Sequence, residues 1–183
     1  MQIINLPSDD MEIIEQATAV LHTAFRAHYP DAWADMDSAR AEVEEFLDPE
    51  RICRVAVADD GTVLGWVGGI SQYNGRAWEL HPIAVHPDAQ GQGVGRALIA
   101  DLEAQVRARG GGTIFLGTDD EDNQTSLSNV DLYPNPLDHL TRIKNLNRHP
   151  FEFYQKAGFV IVGTIPDANG PGKPDILMAK RVM

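Results

Sequence analysis

Three glycines lie where a predicted strand turns into a predicted helix, in the sequence His86-Pro87-Asp88-Ala89-Gln90-Gly91-Gln92-Gly93-Val94-Gly95-Arg96-Ala97-Leu98. Glycines in such a turn let successive backbone N–H groups converge on a phosphate with no side chain in the way. The helix that follows adds the dipole and the free N–H groups of its N-terminus. The segment therefore predicts an anion-binding turn, although a tight strand-to-helix turn without a ligand fits the same residues.

The segments around this turn predict an α+β protein. Before it, hydrophobic spacing and turn residues predict a strand over 2–6, a helix capped by Ser8 or Asp9, an acidic helix over 38–46, and antiparallel strands over 52–58, 63–71 and 76–86. After it, they predict a helix over 93–109, a strand over 113–117, helices over 137–146 and 150–157, and strands over 159–165 and 175–180. An antiparallel meander, a crossover helix and further strands thus form one predicted domain over 1–183.

This order of elements argues against two other phosphate-binding folds. A dinucleotide-binding turn requires a parallel βαβ unit with an acidic residue about 20 positions later, whereas here antiparallel strands precede the glycines. A nucleoside-triphosphate loop ends in Lys followed by Ser or Thr, and this segment has no such pair.

The acidic balance of the chain limits its partners. The net charge is −12, which argues against nucleic acid because phosphate binding needs clustered Lys and Arg. Acidic residues concentrate in the stretch 31–50 and again in Asp119-Asp120-Glu121-Asp122. These clusters fit a cationic ligand, with solvated surfaces as the alternative.

Cysteine and histidine usage argues against disulfides, covalent catalysis and metal binding. Cys53 is the only cysteine and lies in an apolar run, which predicts a buried strand residue rather than a nucleophile. The chain has no apolar run of about 20 residues, and residues 1–10 do not resemble a signal peptide. We therefore expect a cytoplasmic protein. The histidines are too scattered to predict a metal site.

Two motifs resemble the GNAT acyltransferases. The pattern Gln90-x-x-Gly93-x-Gly95 is similar to that family's pyrophosphate-binding signature, and Phe153-Tyr154-x-x-x-Gly158-Phe159 lies where the family places its late aromatic motif. The resemblance implies a mixed, splayed central sheet flanked by helices, with acetyl-CoA as cosubstrate. It also implies that the Ile83 N–H points at the thioester oxygen and that Val85 holds the pantetheine arm. The implied pyrophosphate contacts are Gln90, Gly91, Gln92, Gly93, Val94, Gly95 and Arg96.

Longer blocks resemble one subfamily, the aminoglycoside 6'-N-acetyltransferases of type I. These blocks are Trp78-Glu79-Leu80-His81-Pro82, Leu116-Gly117-Thr118-Asp119-Asp120, His149-Pro150-Phe151-Glu152-Phe153-Tyr154, and Pro166-x-Ala168-Asn169-Gly170-x-x-Lys173-Pro174-Asp175. The resemblance runs from about Glu42 onward and implies acetylation of the 6'-amino group of aminoglycoside antibiotics, antibiotic resistance, and a homodimer. Another cationic acceptor (a polyamine, a peptide N-terminus or a lysine), a non-catalytic acyl-CoA-binding domain, and a monomer remain as alternatives.

Acetyl transfer to an ammonium group needs a base, a polarised carbonyl and an acid for the leaving thiolate. Strand alternation places Glu79 and His81 on one face, opposite Trp78 and Leu80. We predict Glu79 as the base and His81 as a group that positions the acceptor. A solvent-facing glutamate and a structural histidine are the respective alternatives.

The remaining candidates come from the aromatic and acidic segments. We predict Tyr154 as the acid, with packing beside Phe151 and Phe153 as the alternative. We expect Trp33, Asp119 and Asp120 to contact the cationic acceptor together with Glu79. Asp119 and Asp120 follow a buried strand directly, which fixes their direction better than a free loop would.

Overall fold

The computed structural model describes residues 1–183 and contains seven strands and five α-helices. In chain order the elements are β1 (Gln2–Asn5), α1 (Met11–Phe25), α2 (Met36–Glu45), β2 (Ile52–Val57), β3 (Val63–Gln72), β4 (Ala77–Val85), α3 (Val94–Ala108), β5 (Thr113–Asp119), α4 (Pro136–Leu140), α5 (Phe151–Lys156), β6 (Val160–Ile165) and β7 (Asp175–Arg181).

The strands form an open, mixed sheet in the order β1-β2-β3-β4-β5-β7-β6. The predicted α+β class, with its antiparallel meander, crossover helix and later strands, is confirmed. The chain divides into two compact units, residues 1–114 with 182–183, and residues 115–181. The single domain over 1–183 stays a prediction.

The first unit is built on the antiparallel meander β1 to β4. Helices α1 and α2 pack on it through apolar residues that include Leu21, Val43 and Trp66, all of which are fully buried. The Trp66 indole donates a hydrogen bond to the Ala17 carbonyl oxygen at 3.1 Å, so the largest core side chain also satisfies its polar atom. Helix α1 is capped by Asp10, not by the predicted Ser8 or Asp9, because the Asp10 carboxylate accepts the first free backbone N–H groups.

A bulge interrupts β4 between Leu80 and Ile83. Leu80 pairs with Gly69 and Ile83 pairs with Val67, so β4 carries one more residue than β3 between these pairs. Pro82 lies inside this interval, where it has no N–H to give to the ladder. The bulge therefore fixes the direction of the residues on either side of it.

The second unit holds the end of β5, the segment 120–149, α5 and the β6–β7 hairpin. The predicted helix over 137–146 is wrong in length, since α4 ends at Leu140. Beyond it the backbone of Lys144 and Asn145 joins Thr125 and Ser126, through an isolated bridge and two hydrogen bonds. These tertiary contacts replace the helical bonds that local spacing favoured.

Candidate active site

The glycine-rich turn has open space above its backbone. Gly91 and Gly93 have φ values of +74° and +90°, and a Cβ added to either one would meet no atom within 4 Å. Gly93 also caps the 15-residue helix α3. Left-handed backbone and an open helix N-terminus together form a cradle that suits a phosphate group.

The side chains of Gln90 and Gln92 stabilise the turn through hydrogen bonds to backbone carbonyl oxygens. The Gln90 amide donates to the Val85 carbonyl oxygen at 3.2 Å, and the Gln92 amide donates to the Asp88 carbonyl oxygen at 2.7 Å. These two glutamines were predicted to contact the cofactor, and the structure uses their side chains to hold the turn. Val94 is buried, while Arg96 is exposed and forms no ion pair, so Arg96 offers the turn's free cationic side chain.

The exposed face of β4 carries Glu79 and His81. Trp78 and Leu80 are buried, Glu79 is half-buried and His81 is exposed, as strand alternation predicts. On the neighbouring strand the Gln72 amide donates to a Glu79 carboxylate oxygen at 3.5 Å, which is a long contact. The first unit therefore presents a carboxylate and an imidazole side by side on one strand.

Two residues flank the His81 imidazole. Its Nε2 lies 3.5 Å from a carboxylate oxygen of Glu42 on α2, and its ring centre lies 6.1 Å from that of Trp33. Trp33 in turn packs edge-on against Phe25 at 4.6 Å, and its carbonyl oxygen accepts a 2.9 Å hydrogen bond from His22 Nδ1. The structure thus brings Trp33 next to His81, and it adds Glu42, which sequence reasoning did not single out.

Ile83 and Val85 lie on β4 beyond the bulge. Both are half-buried, and they pair with Val67 and Gly65 of β3. Their predicted contacts with a thioester and a pantetheine arm stay predictions.

In the second unit, Asp119 is half-buried at the end of β5. One of its carboxylate oxygens accepts a 2.5 Å hydrogen bond from the Asn169 amide, and its carbonyl oxygen accepts one from His149 Nε2 at 3.0 Å. His149 is buried, and burial lowers the pKa of its imidazole despite opposing contributions from Asp119 and Asp120. Asp119 is therefore held in place by two polar neighbours.

Asp120 has a different environment from the one predicted. Its side chain is fully buried and accepts hydrogen bonds from the backbone N–H groups of Gln124 (2.7 Å) and Thr125 (2.8 Å) and from the Ser128 hydroxyl. Burial alone would raise the pKa of Asp120, but these hydrogen bonds outweigh it and lower the pKa. We therefore reassign Asp120 from acceptor binding to support of the loop after β5.

Tyr154 lies on α5 and is buried. Its ring packs against Phe153 at 5.2 Å and Phe159 at 5.8 Å. Burial raises the pKa of the Tyr154 phenol, so the phenol retains its proton at neutral pH. A protonated phenol suits both the predicted acid and the alternative of a packing residue.

Comparison with known proteins identifies the family of this chain. The model of the acetyltransferase (GNAT) family matches residues 14–133, which is more than half of the chain. The chain belongs to the GNAT acetyltransferase family. The resemblance of the chain to that family is thereby confirmed, and the matched residues include the glycine-rich turn.

Two solved structures resemble this GNAT chain over its full length. An aminoglycoside 6'-N-acetyltransferase complexed with coenzyme A is 41% identical, with a TM-score of 0.90, and the match covers 100% of this chain and 98% of the other. The aminoglycoside 6'-N-acetyltransferase from Enterococcus faecium is also 41% identical over the same shares, with a TM-score of 0.89.

The curated relatives of this GNAT chain are mycothiol acetyltransferases, not aminoglycoside acetyltransferases. A mycothiol acetyltransferase from Propionibacterium freudenreichii subsp. shermanii is 27% identical over 165 residues, which is 88% of this chain and 44% of the relative. The chain spans less than half the length of the curated relatives it matches.

Three further features of this GNAT protein are its cysteine, its metal-ligating side chains and the apolar character of its helices. Cys53 is a buried free thiol, and burial raises its pKa well above the usual range. No group of three or more His, Cys, Asp or Glu side chains is arranged to hold a metal ion. No helix is both long and apolar enough to cross a membrane.

Proposed function

We propose that this protein is an acetyl-CoA-dependent N-acetyltransferase that acetylates the 6'-amino group of aminoglycosides and thereby confers resistance to them. The observation that carries the proposal is the 41% identity, over the whole chain, to an aminoglycoside 6'-N-acetyltransferase complexed with coenzyme A. The geometry of the first unit supports it with a phosphate cradle at Gly91 and Gly93 and a carboxylate at Glu79.

The backbone of the glycine-rich turn is the part of the chain that fits the cosubstrate's pyrophosphate. Its free N–H groups and the N-terminus of α3 stabilise phosphate charge, and Arg96 adds a cation beside them. Acetyl-CoA, when bound, supplies an activated acetyl group as a thioester. We propose that the Ile83 N–H polarises the thioester carbonyl and that Val85 contacts the pantetheine arm.

Glu79 is the proposed base. An amine attacks a carbonyl only after it has lost its extra proton, so the carboxylate takes that proton directly or through water. The Gln72 amide makes a long, 3.5 Å contact with one of the carboxylate oxygens. Tyr154 is the proposed acid that returns a proton to the departing thiolate, because its phenol keeps its proton at neutral pH.

Acidic side chains suit an aminoglycoside, which carries several ammonium groups. Asp119 is a proposed acceptor ligand, as are Glu79 and Trp33. A charge-assisted hydrogen bond from an ammonium group to a carboxylate contributes about 1.5–3 kcal/mol. The net charge of −12 favours the approach of such cations and disfavours nucleic acid.

A thiol-release assay with acetyl-CoA tests this proposal against its alternatives. The acceptors are an aminoglycoside with a 6'-amino group, a matched aminoglycoside with a 6'-hydroxyl group, a polyamine and a lysine peptide. We expect turnover only with the 6'-amino compound. Preference for the polyamine or the peptide would move the protein to another acceptor class, and no turnover with any amine would favour an acyl-CoA-binding role.

A second acceptor class comes from the curated relatives. They are mycothiol acetyltransferases at 27% to 32% identity, so the same panel includes the amine substrate of those enzymes. The aminoglycoside remains our proposal because the solved aminoglycoside enzymes share 41% identity over the full chain.

We also propose that the protein is a cytoplasmic homodimer. Strand β6 lies at one end of the sheet and exposes Val160, Val162 and Ile165, with relative exposures of 62%, 58% and 48%. Such an apolar edge favours pairing with a second copy. Light scattering should give twice the monomer mass, and a Val162→Lys variant should give the monomer mass. A monomer at every concentration in the unmodified protein would contradict the dimer.

A further inference from the structure

We infer that Glu42 is a positioning residue for acceptor binding, acting through the imidazole of His81. The inference rests on the proposed acetylation of aminoglycosides and names a residue outside the sequence blocks quoted above for the family resemblance. Its starting observation is the 3.5 Å separation between a Glu42 carboxylate oxygen and His81 Nε2.

Glu42 differs from the other glutamates of α2. Its side chain is 19% exposed, compared with 52% for Glu44 and 59% for Glu45. Glu44 pairs with Arg40 and Glu45 pairs with Arg51, whereas Glu42 pairs with neither Lys nor Arg. Helix α2 thus turns one carboxylate away from solvent, toward the strand that carries the proposed base, and leaves it without a permanent counter-charge.

His81 is confined on its other side as well. The Trp33 ring lies 6.1 Å away, and Trp33 is itself fixed by Phe25 and by the hydrogen bond from His22. The backbone of His81 is set by the bulge in β4. Glu42 and Trp33 are therefore the two side chains next to an imidazole that is 46% exposed.

The Glu42 carboxylate lies 3.5 Å from Nε2 of His81, so the two ring nitrogens have different surroundings. A carboxylate next to Nε2 favours the tautomer with its proton on Nε2, and the neutral ring then has a lone pair on Nδ1. His81 Nδ1 forms no hydrogen bond in the structure. It can therefore accept a hydrogen bond from an ammonium or hydroxyl group of the acceptor, on the same strand face as Glu79.

The test compares Glu42→Ala and Glu42→Gln with Glu50→Ala. Glu50 lies in the same acidic stretch, is exposed and has no ion pair, so its replacement removes the same charge without touching His81. We expect Glu42→Ala to raise the aminoglycoside KM about fivefold, the upper end for a partly exposed pair. The kcat value, the acetyl-CoA KM and the Tm should stay near those of the unmodified enzyme. Glu42→Gln keeps an oxygen near Nε2 and should recover part of the loss.

A double-mutant cycle separates positioning from direct contact. In the His81→Asn background, Glu42→Ala should have no further effect on KM, because the group it positions is gone. If the two effects add fully, Glu42 contacts the acceptor itself and the inference is overturned. It is also overturned if Glu42→Ala matches Glu50→Ala, or if its Tm falls together with kcat as for a purely structural residue. An unmodified enzyme that acetylates no aminoglycoside would overturn the proposed function instead, before any Glu42 variant is measured.

Discussion

The Cβ atom that Gly68 lacks would lie 2.2 Å from the carbonyl oxygen of His81. It would also lie 2.4 Å from the Phe46 ring. Strand β3 therefore approaches the bulge of β4 at a distance that only glycine permits. The direction of His81, and with it one side of the proposed acceptor surface, depends on a residue that carries no chemistry of its own.

We predict that Gly68→Ala destabilises the protein and impairs the site. Inserting a methyl group into packed backbone costs about 1–3 kcal/mol, and the backbone shift that relieves the clash moves His81. Urea unfolding should show the loss of stability, and kcat/KM for the acceptor should fall. Gly163→Ala is the matched control, since its Cβ would meet no atom closer than 3.6 Å. Equal stability of the two variants would contradict the prediction.

A second prediction concerns the cosubstrate. Gly93 and Gly61 both have a φ of +90° and open space around a Cβ, so alanine at either position brings the same backbone strain. Only Gly93 lies in the proposed phosphate cradle. Excess acetyl-CoA should raise the Tm of the unmodified protein and of Gly61→Ala, and should raise it much less for Gly93→Ala. The same shift in both variants would place the cosubstrate elsewhere.

Local patterns predicted the elements that depend on neighbours in sequence. All seven strands, the α3 helix and the face of β4 that carries Glu79 follow from alternation, helical spacing and turn residues. The length of α4 did not follow, because Lys144 and Asn145 exchange helical bonds for contacts with residues about 20 positions earlier. Side-chain environments set by long-range packing are invisible to such patterns.

The burial and the partners of the acidic residues were likewise not predictable from local sequence patterns. In sequence, Asp119 and Asp120 are equivalent neighbours after a strand. In the structure Asp120 is buried, and its carboxylate accepts hydrogen bonds from backbone N–H groups of its own loop. Glu42 is one of eight acidic residues in the stretch 31–50, and its low exposure and its contact with His81 appear only in the structure. No local pattern separates Asp120 from Asp119, because the partners of Asp120 lie four to eight positions later in the loop.

The reassignment of Asp120 predicts that substitutions of Asp119 and Asp120 affect different properties of the protein. Asp120→Asn removes the charge from a buried carboxylate that accepts three hydrogen bonds, and should lower the free energy of unfolding by about 1.5–3 kcal/mol. Because hydrogen bonding lowers the pKa of Asp120, its stabilising effect is present above the unfolded pKa near ~4 and is lost as pH falls through the lower, folded value. Asp119→Asn should mainly raise the aminoglycoside KM. An Asp120→Asn variant with normal stability and a raised KM would restore Asp120 as an acceptor ligand.

His149 should make the protein sensitive to mild acid. Its Nδ1 accepts from the Phe151 N–H at 3.1 Å while its Nε2 donates to the Asp119 carbonyl oxygen, an arrangement that requires the neutral ring. Burial lowers the pKa of His149 in the folded state, so the unfolded chain takes up the proton first as pH falls below about 6.5. This group should therefore reduce stability by up to about 1.4 kcal/mol per pH unit in that range. Urea unfolding at pH 7.5, 6.5 and 5.5 should show a steeper decline for the unmodified protein than for His149→Gln.

The proposed mechanism depends most directly on Glu79. Glu79→Gln keeps the size of the side chain and its contact with Gln72 but removes the proton acceptor. If Glu79 is the base, kcat should fall by about 10²–10⁴-fold, the usual contribution of general base catalysis. The Tm shift with acetyl-CoA should remain, because the phosphate cradle at Gly93 is formed by backbone and does not include this carboxylate.

The pH dependence of the Glu79→Gln variant distinguishes a base from a substrate anchor. At higher pH a larger share of the acceptor amine is already neutral, so the variant should recover part of its rate while the unmodified enzyme gains less. An anchor would behave differently, since the loss of uniform binding raises KM and leaves kcat unchanged. Initial rates at saturating acetyl-CoA, with the aminoglycoside varied at pH 6.5, 7.5 and 8.5, separate the two roles. If Glu79→Gln changes KM alone at all three pH values, the proton leaves by way of another group or solvent, and Glu79 only binds the acceptor.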